Sequence, residues 1–237
     1  MDDGSLDIAL QETDDIGARI VLLSAIGFWP TFTEYRDRQT WLHWLEGHGI
    51  LDIATDAERS LITRQHRTEL TEAEQDRSRR SFDAIWPLAW AVGLHDQPGF
   101  ALDEETLQAL IEELPTPGDA VEPFLDGILI RLEDDIAVER ERAEVWNWRL
   151  AAEVMMRSGT KAIRTEMQEA VQEVVLECAT SPAFPDVDGL DFLVGEVQVR
   201  NLETLYLEVL MVASDEQLRA LNWLCGLTDW ESIHFDE

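Results

Sequence analysis

The sequence predicts a mainly α fold: a single compact multi-helix domain with at most one short β-hairpin. Three observations predict it. Apolar residues recur at three- and four-residue spacing through most of the chain. The tetrads Thr55–Glu58 and Thr71–Glu74 have the Thr-x-x-Glu form of a helix capping box. Connections between the periodic segments are short, which favours one domain of 13–237 behind an acidic, frayed stretch at 1–12.

The elements follow in order. Thr13, with Asp14 and Asp15, is the expected start of a first helix carrying Ile16, Ile20, Leu23 and Ile26 on one face and ending at Phe28-Trp29-Pro30. Thr33 is the expected cap of a second, with Trp41, Leu42, Trp44 and Leu45 inward and Gly47 and Gly49 as its stop. The two capping boxes open the third and fourth. The fourth runs into Ser81–Gly93, the most apolar helical run of the chain, whose apolar circumference only Asp83 breaks. This run is expected to be the centre of the molecule, with a kink at Pro87.

A short helix is expected over Glu104–Leu114, and Pro115–Gly118 breaks the chain. A helical pattern resumes near Ala120 and reaches Gly159, with a bend expected at Pro123 or Gly127. Thr160 caps a helix reaching Thr180, Ser181–Gly189 reads as loop, and Phe192–Val199 has the alternation of a short strand. The last helix spans about Leu202 to Leu224, with Ser214–Gln217 resembling a capping box that would break it.

The chain carries 49 acidic and 18 basic residues, a net charge of −31. Such a field repels nucleic acid and anionic membranes and attracts basic partners; its other reading is a solvated surface that keeps the protein soluble. Asp96–Glu139 holds thirteen acids against Arg131 alone. The candidate partner-binding residues therefore come from this part: Asp103, Glu104, Glu105, Glu112, Glu113, Glu133, Asp134 and Asp135. The start of the chain lacks the basic and apolar regions of a signal peptide, and no apolar run approaches the ~20 residues that span a bilayer, so a cytoplasmic protein is expected.

No catalytic residue, metal ligand or cofactor is expected. Cys178 and Cys225 lack redox or zinc spacing and read as core thiols. The five histidines, His43, His48, His66, His95 and His234, form no metal-binding pair. There is no phosphate loop and no nucleophile elbow. Polar residues among apolar ones are more telling, because a buried charge needs a partner. Asp83 and Arg149, with Asn222 and Asp236, are expected to form one buried polar network, which either fixes helix register or lines a pocket.

Three segments carry a resemblance. They are Asp83–Gly93 with its Trp86 and Trp90; Trp146-Asn147-Trp148-Arg149; and Arg219–Gly226 with Trp230, Glu231 and Asp236. Together they resemble the bacterial family of the domain of unknown function 4272, over roughly residues 19–237. Arg80, Asp83 and Glu237 stand where that family tends to have tryptophan, glutamate and threonine. The resemblance implies a mostly helical fold and no particular reaction. The expected function is that of an acidic binding protein, such as an immunity protein that neutralises a basic toxin. An enzyme built on the polar network, or a structural subunit, is the alternative.

Overall fold

The computed structural model describes residues 8–64, 70–96, 104–184 and 186–231. Among them the chain forms nine α-helices and one two-stranded hairpin. The most enclosed element is the first helix, α1 (Thr13–Phe28), in which every residue from Arg19 to Gly27 is buried. Ile16, Ile20 and Leu23 face one apolar cluster, and Val21, Leu22, Ala25 and Ile26 face another. The Trp86–Trp90 stretch is therefore not the sole centre. A helix with only one charge between Ile16 and Trp29 is buried on both sides.

The second cluster is closed by α2 (Tyr35–Gly47), by a tight turn over Ile50–Ile53, and by α3 (Asp56–Ile62). Trp41 and Trp44 of α2 meet edge to face, their ring centres 5.6 Å apart. Both capping boxes form: Thr55 and Glu58 cap α3, and Thr71 and Glu74 cap α4 (Glu72–Ala91). Thr13 and Thr33 do not hold the cap positions expected of them, which belong to Glu12 and Glu34.

Helix α4 continues through Pro87 to Ala91. It crosses α1 where Gly27 has no side chain. A Cβ there would lie 2.5 Å from the Phe82 ring. Beyond α4 come α5 (Glu104–Glu113), α6 (Glu122–Gly127) and α7 (Glu133–Ser158). The helical pattern expected from Ala120 to Gly159 is thus split at 128–132. The reason is a competing set of bonds: the Leu129 and Arg131 amides donate to the Val92 and Ala91 carbonyls at the end of α4. The Arg131 side chain completes this clamp. Its Nε donates to the Trp90 carbonyl at 2.7 Å, and its guanidinium lies 5.1 Å from the Trp90 ring centre. A cation thereby satisfies the negative end of α4.

The rest of the described chain builds a third cluster. Helix α8 (Lys161–Cys178), capped by Thr160, lies on α7. The hairpin of β1 (Leu193–Val194) and β2 (Val197–Gln198) pairs Leu193 with Gln198 and Val194 with Val197. Phe192 and Val199 at its ends join Trp146, Leu150, Leu207 and Leu210 in the apolar interior. Helix α9 (Thr204–Leu224) then runs past Ser214 without a break, against expectation. Ser214 is buried, its hydroxyl donating to the Met211 carbonyl and accepting from Asn147, so it caps nothing.

Helix α9 returns to the start of the chain. The Ala9 and Gln11 amides donate to the Cys225 and Leu224 carbonyls. Residues 8–11 belong to the stretch expected to fray, and these bonds hold them. Gly226 permits the approach: its φ is 66°, and a Cβ would sit 2.4 Å from the Ala9 carbonyl oxygen. No helix among the described residues is long and apolar enough to cross a membrane.

Candidate functional site

The expected polar network divides into three separate arrangements. Arg149, on α7, faces the hairpin. Its Nε and one terminal nitrogen donate to the two carboxylate oxygens of Asp191 at 2.8 and 2.9 Å, and that nitrogen also reaches Glu153 at 3.1 Å. Asp191 further accepts from the Phe192 and Arg200 amides. Glu153 takes a second cation, Arg157, at 2.8 Å. Arg149 and Asp191 are each 1 % exposed, so this is a paired, desolvated ion pair. Asp83 is not its partner, which corrects the pairing expected from charge sign alone.

Asn222 has another neighbour as well. Its side-chain oxygen accepts from the Arg140 Nε at 2.8 Å, linking α9 to α7. Asp236 and Asp103 lie outside the described residues, as does the side chain of Glu104.

Asp83 forms the third arrangement. It is half-buried on α4 beside Glu216 of α9, and no ion pair reaches it among the described residues. Burial and the Glu216 charge push its carboxyl up to about 7, while Arg80 opposes this. Glu216 is held by Arg219. Next to it, Asp215 accepts from the Asn147 amide at 2.6 Å, and its carboxyl too is raised by burial. Three carboxylates thus gather where α4 meets α9, with Arg80, Arg219 and Asn147 as the nearby compensating groups.

One crevice opens close by, between α4, α7 and α9. Trp86, Trp90 and Trp146 line it with Arg142, Ser214 and Gln217. Its volume is about 10 Å³. That is room for about one water, against the ~300 Å³ or more of a small-molecule pocket. The crevice lining includes none of Asp83, Arg149 and Asn222, the described residues around which a pocket was the alternative expectation. Among the described residues no three His, Cys, Asp or Glu side chains are placed to hold a metal ion.

The acids proposed from sequence as a binding surface stand outward. Glu105, Glu112 and Glu113 are exposed on α5, and Glu133, Asp134 and Asp135 are exposed in the first turn of α7. The α7 acids also complement the positive end of that helix. Leu129 and Leu132, at 77 % and 74 % exposure, flank them.

The partners in two clusters were not legible in the sequence. The Arg149–Asp191 pair joins residues 42 apart. The second is a stack at the chain's end. Arg19 pairs with Glu58 at 2.9 Å, Glu58 accepts the Trp230 indole N–H at 2.9 Å, and the Arg19 and Arg219 guanidinium groups lie 4.5 and 4.2 Å from the Trp230 ring centre. Only the isolation of Arg19 among apolar residues of α1 hinted that it needed a buried acid.

A family model described as a domain of unknown function (DUF4272) matches residues 3–175. The match covers α1 to most of α8, and the Arg219–Trp230 segment lies beyond it. No curated protein and no solved structure matches the chain.

Proposed function

The chain belongs to the domain of unknown function (DUF4272) family, and we propose that this member is an acidic binding protein whose partner is a basic protein. The observation that carries this reading is the outward acidic set on α5 and at the start of α7, in a segment where Arg131 is the one base between Asp96 and Glu139. Arg131 is held at the end of α4 and pairs with Asp96, not with the acids of α5 or α7. Such a field raises the rate of encounter with a basic protein and rejects nucleic acid. An immunity protein of the bacterial cytoplasm, neutralising a basic toxin, is the form of this reading that the charge suits best. The crevice beside Trp86, Trp90 and Trp146 has room for about one water, which favours a binder over an enzyme with its pocket at that place.

The experiment is affinity capture from a lysate at about 0.05 M and 0.5 M salt, followed by identification of what is held. A basic protein held in fixed ratio at low salt and shed at high salt supports the reading. Capture of nothing, or capture indifferent to salt, refutes it.

A further inference from the structure

The outward side of α9 carries a stripe that the fold does not use. Leu205, Val209, Val212 and Glu216 follow one another at spacings of four, three and four residues, which places them on one side of the helix. Leu207, Leu210, Ser214 and Gln217 take the opposite, buried side. Leu205 is 74 % exposed and Val209 55 % exposed, while Val212 is half-buried. The stripe is roughly 16 Å long at 1.5 Å per residue. It ends at Glu216, beside the half-buried Asp83 that no ion pair reaches among the described residues.

Resting on the reading of this protein as an acidic binder, we propose that this face of α9 docks an amphipathic helix of a basic partner, with three apolar residues on Leu205, Val209 and Val212 and a Lys or Arg against Asp83.

Charge decides the occupant. A second copy would bring another −31 against this face, with Glu208 and Asp215 along its edge. A basic helix instead meets an acidic rim, and its terminal cation supplies the partner that Asp83 lacks. Glu216 is already held by Arg219, and Arg80 lies near enough to influence Asp83 without bonding it. Among the described residues the unpaired carboxylate is thus Asp83. Apolar anchors at helical spacing with a charged end is the general form of helix-on-surface recognition. Burying Leu205 and Val209 supplies affinity, and the ion pair supplies register.

The probe is a fluorescent synthetic helix of about 18 residues, with leucines at i, i+4 and i+7 and arginine at i+11, matching the stripe. Two controls accompany it: a scrambled peptide of equal charge, and one with citrulline replacing the i+11 arginine. Anisotropy is read at about pH 8, where the Asp83 carboxyl is ionised. The expected result is binding about tenfold tighter than the scrambled peptide, lost in Val209→Asn and in Leu205→Asn. In Asp83→Asn the preference for arginine over citrulline disappears while citrulline binding is unchanged. Both surface variants should melt as the parent does, because the altered side chains are exposed. Equal binding of ordered and scrambled peptides, undiminished by Val209→Asn, overturns the α9 site and leaves the acidic-binder reading standing. Failure of every basic peptide to bind also overturns the α9 site, while the acidic-binder reading is judged by the capture experiment. Dimerisation of the free protein that Val209→Asn abolishes also overturns the proposal, since the face would then belong to a second copy.

Discussion

Arg149 and Asp191, 42 residues apart in the chain, hold each other through two hydrogen bonds of 2.8 and 2.9 Å with 1 % of either side chain exposed. The pair joins the middle of α7 to Asp191, two residues before the hairpin. Because Asp191 also accepts two backbone amides, it positions the start of the hairpin and the turn after it in one step. The third apolar cluster closes around this point.

Removing the second member should therefore cost less once the first is gone. Asp191→Asn leaves a buried guanidinium facing a neutral amide, and Arg149→Met leaves a buried carboxylate. Each should destabilise by about 3–5 kcal/mol in urea unfolding, and the double variant Arg149→Met with Asp191→Asn by less than the sum. Additive losses would show that the two side chains act independently.

Asp83 gives stability a pH dependence of its own. Its carboxyl lies near 7 in the folded chain and at 3.8 otherwise. The folded state thus binds the proton more tightly, and stability falls as pH rises from about 4 to about 7. Above that window both states are ionised and the slope vanishes. Asp83→Asn should remove this part of the slope. At about pH 8 it should raise stability by about 1–2 kcal/mol, a figure reduced for partial solvent screening, and near pH 4 it should change little. A variant less stable than the parent at pH 8 would show that Asp83 is paired after all.

Gly226→Ala tests the closure of the chain's start on its end. The new methyl group meets the Ala9 carbonyl at 2.4 Å, in a backbone with φ of 66°. A loss of about 1–3 kcal/mol is expected. Hydrogen exchange should show the Ala9 and Gln11 amides losing protection first. Retained protection of both would mean the segment is held by other contacts.

The helical class and both capping boxes were legible because they are local: Thr71 and Glu74 meet within one turn. Helix ends set by distant groups were not. Gly127 announced a bend, but not the full break over 128–132. The α6–α7 interruption exists because Arg131 finds the end of α4, 41 residues away, by its side chain. Ser214 resembled a cap, yet the burial of its hydroxyl against Asn147 of α7 keeps α9 whole. The polar network shows the same limit. Sequence identified Arg149 and Asp83 as groups needing partners, but the side of α7 that Arg149 occupies faces Asp191. Asp83 was left with Glu216, a residue of its own sign. The outward acids of α5 and α7 needed no long-range knowledge, because exposed charge is the default for such residues.

The acidic surface itself can be tested by moving charge rather than removing it. Two triple variants change the net charge equally: Glu112→Lys, Glu113→Lys and Asp134→Lys on α5 and α7, and Glu166→Lys, Glu169→Lys and Glu173→Lys on α8. All six positions are exposed, so neither variant should shift the melting temperature by more than a few degrees. The decisive measurement is low-salt capture of the same basic protein by the two variants. The α5–α7 variant is predicted to lose it and the α8 variant to hold it as the parent does; equal retention by both, or equal loss, would contradict a binding role for that surface.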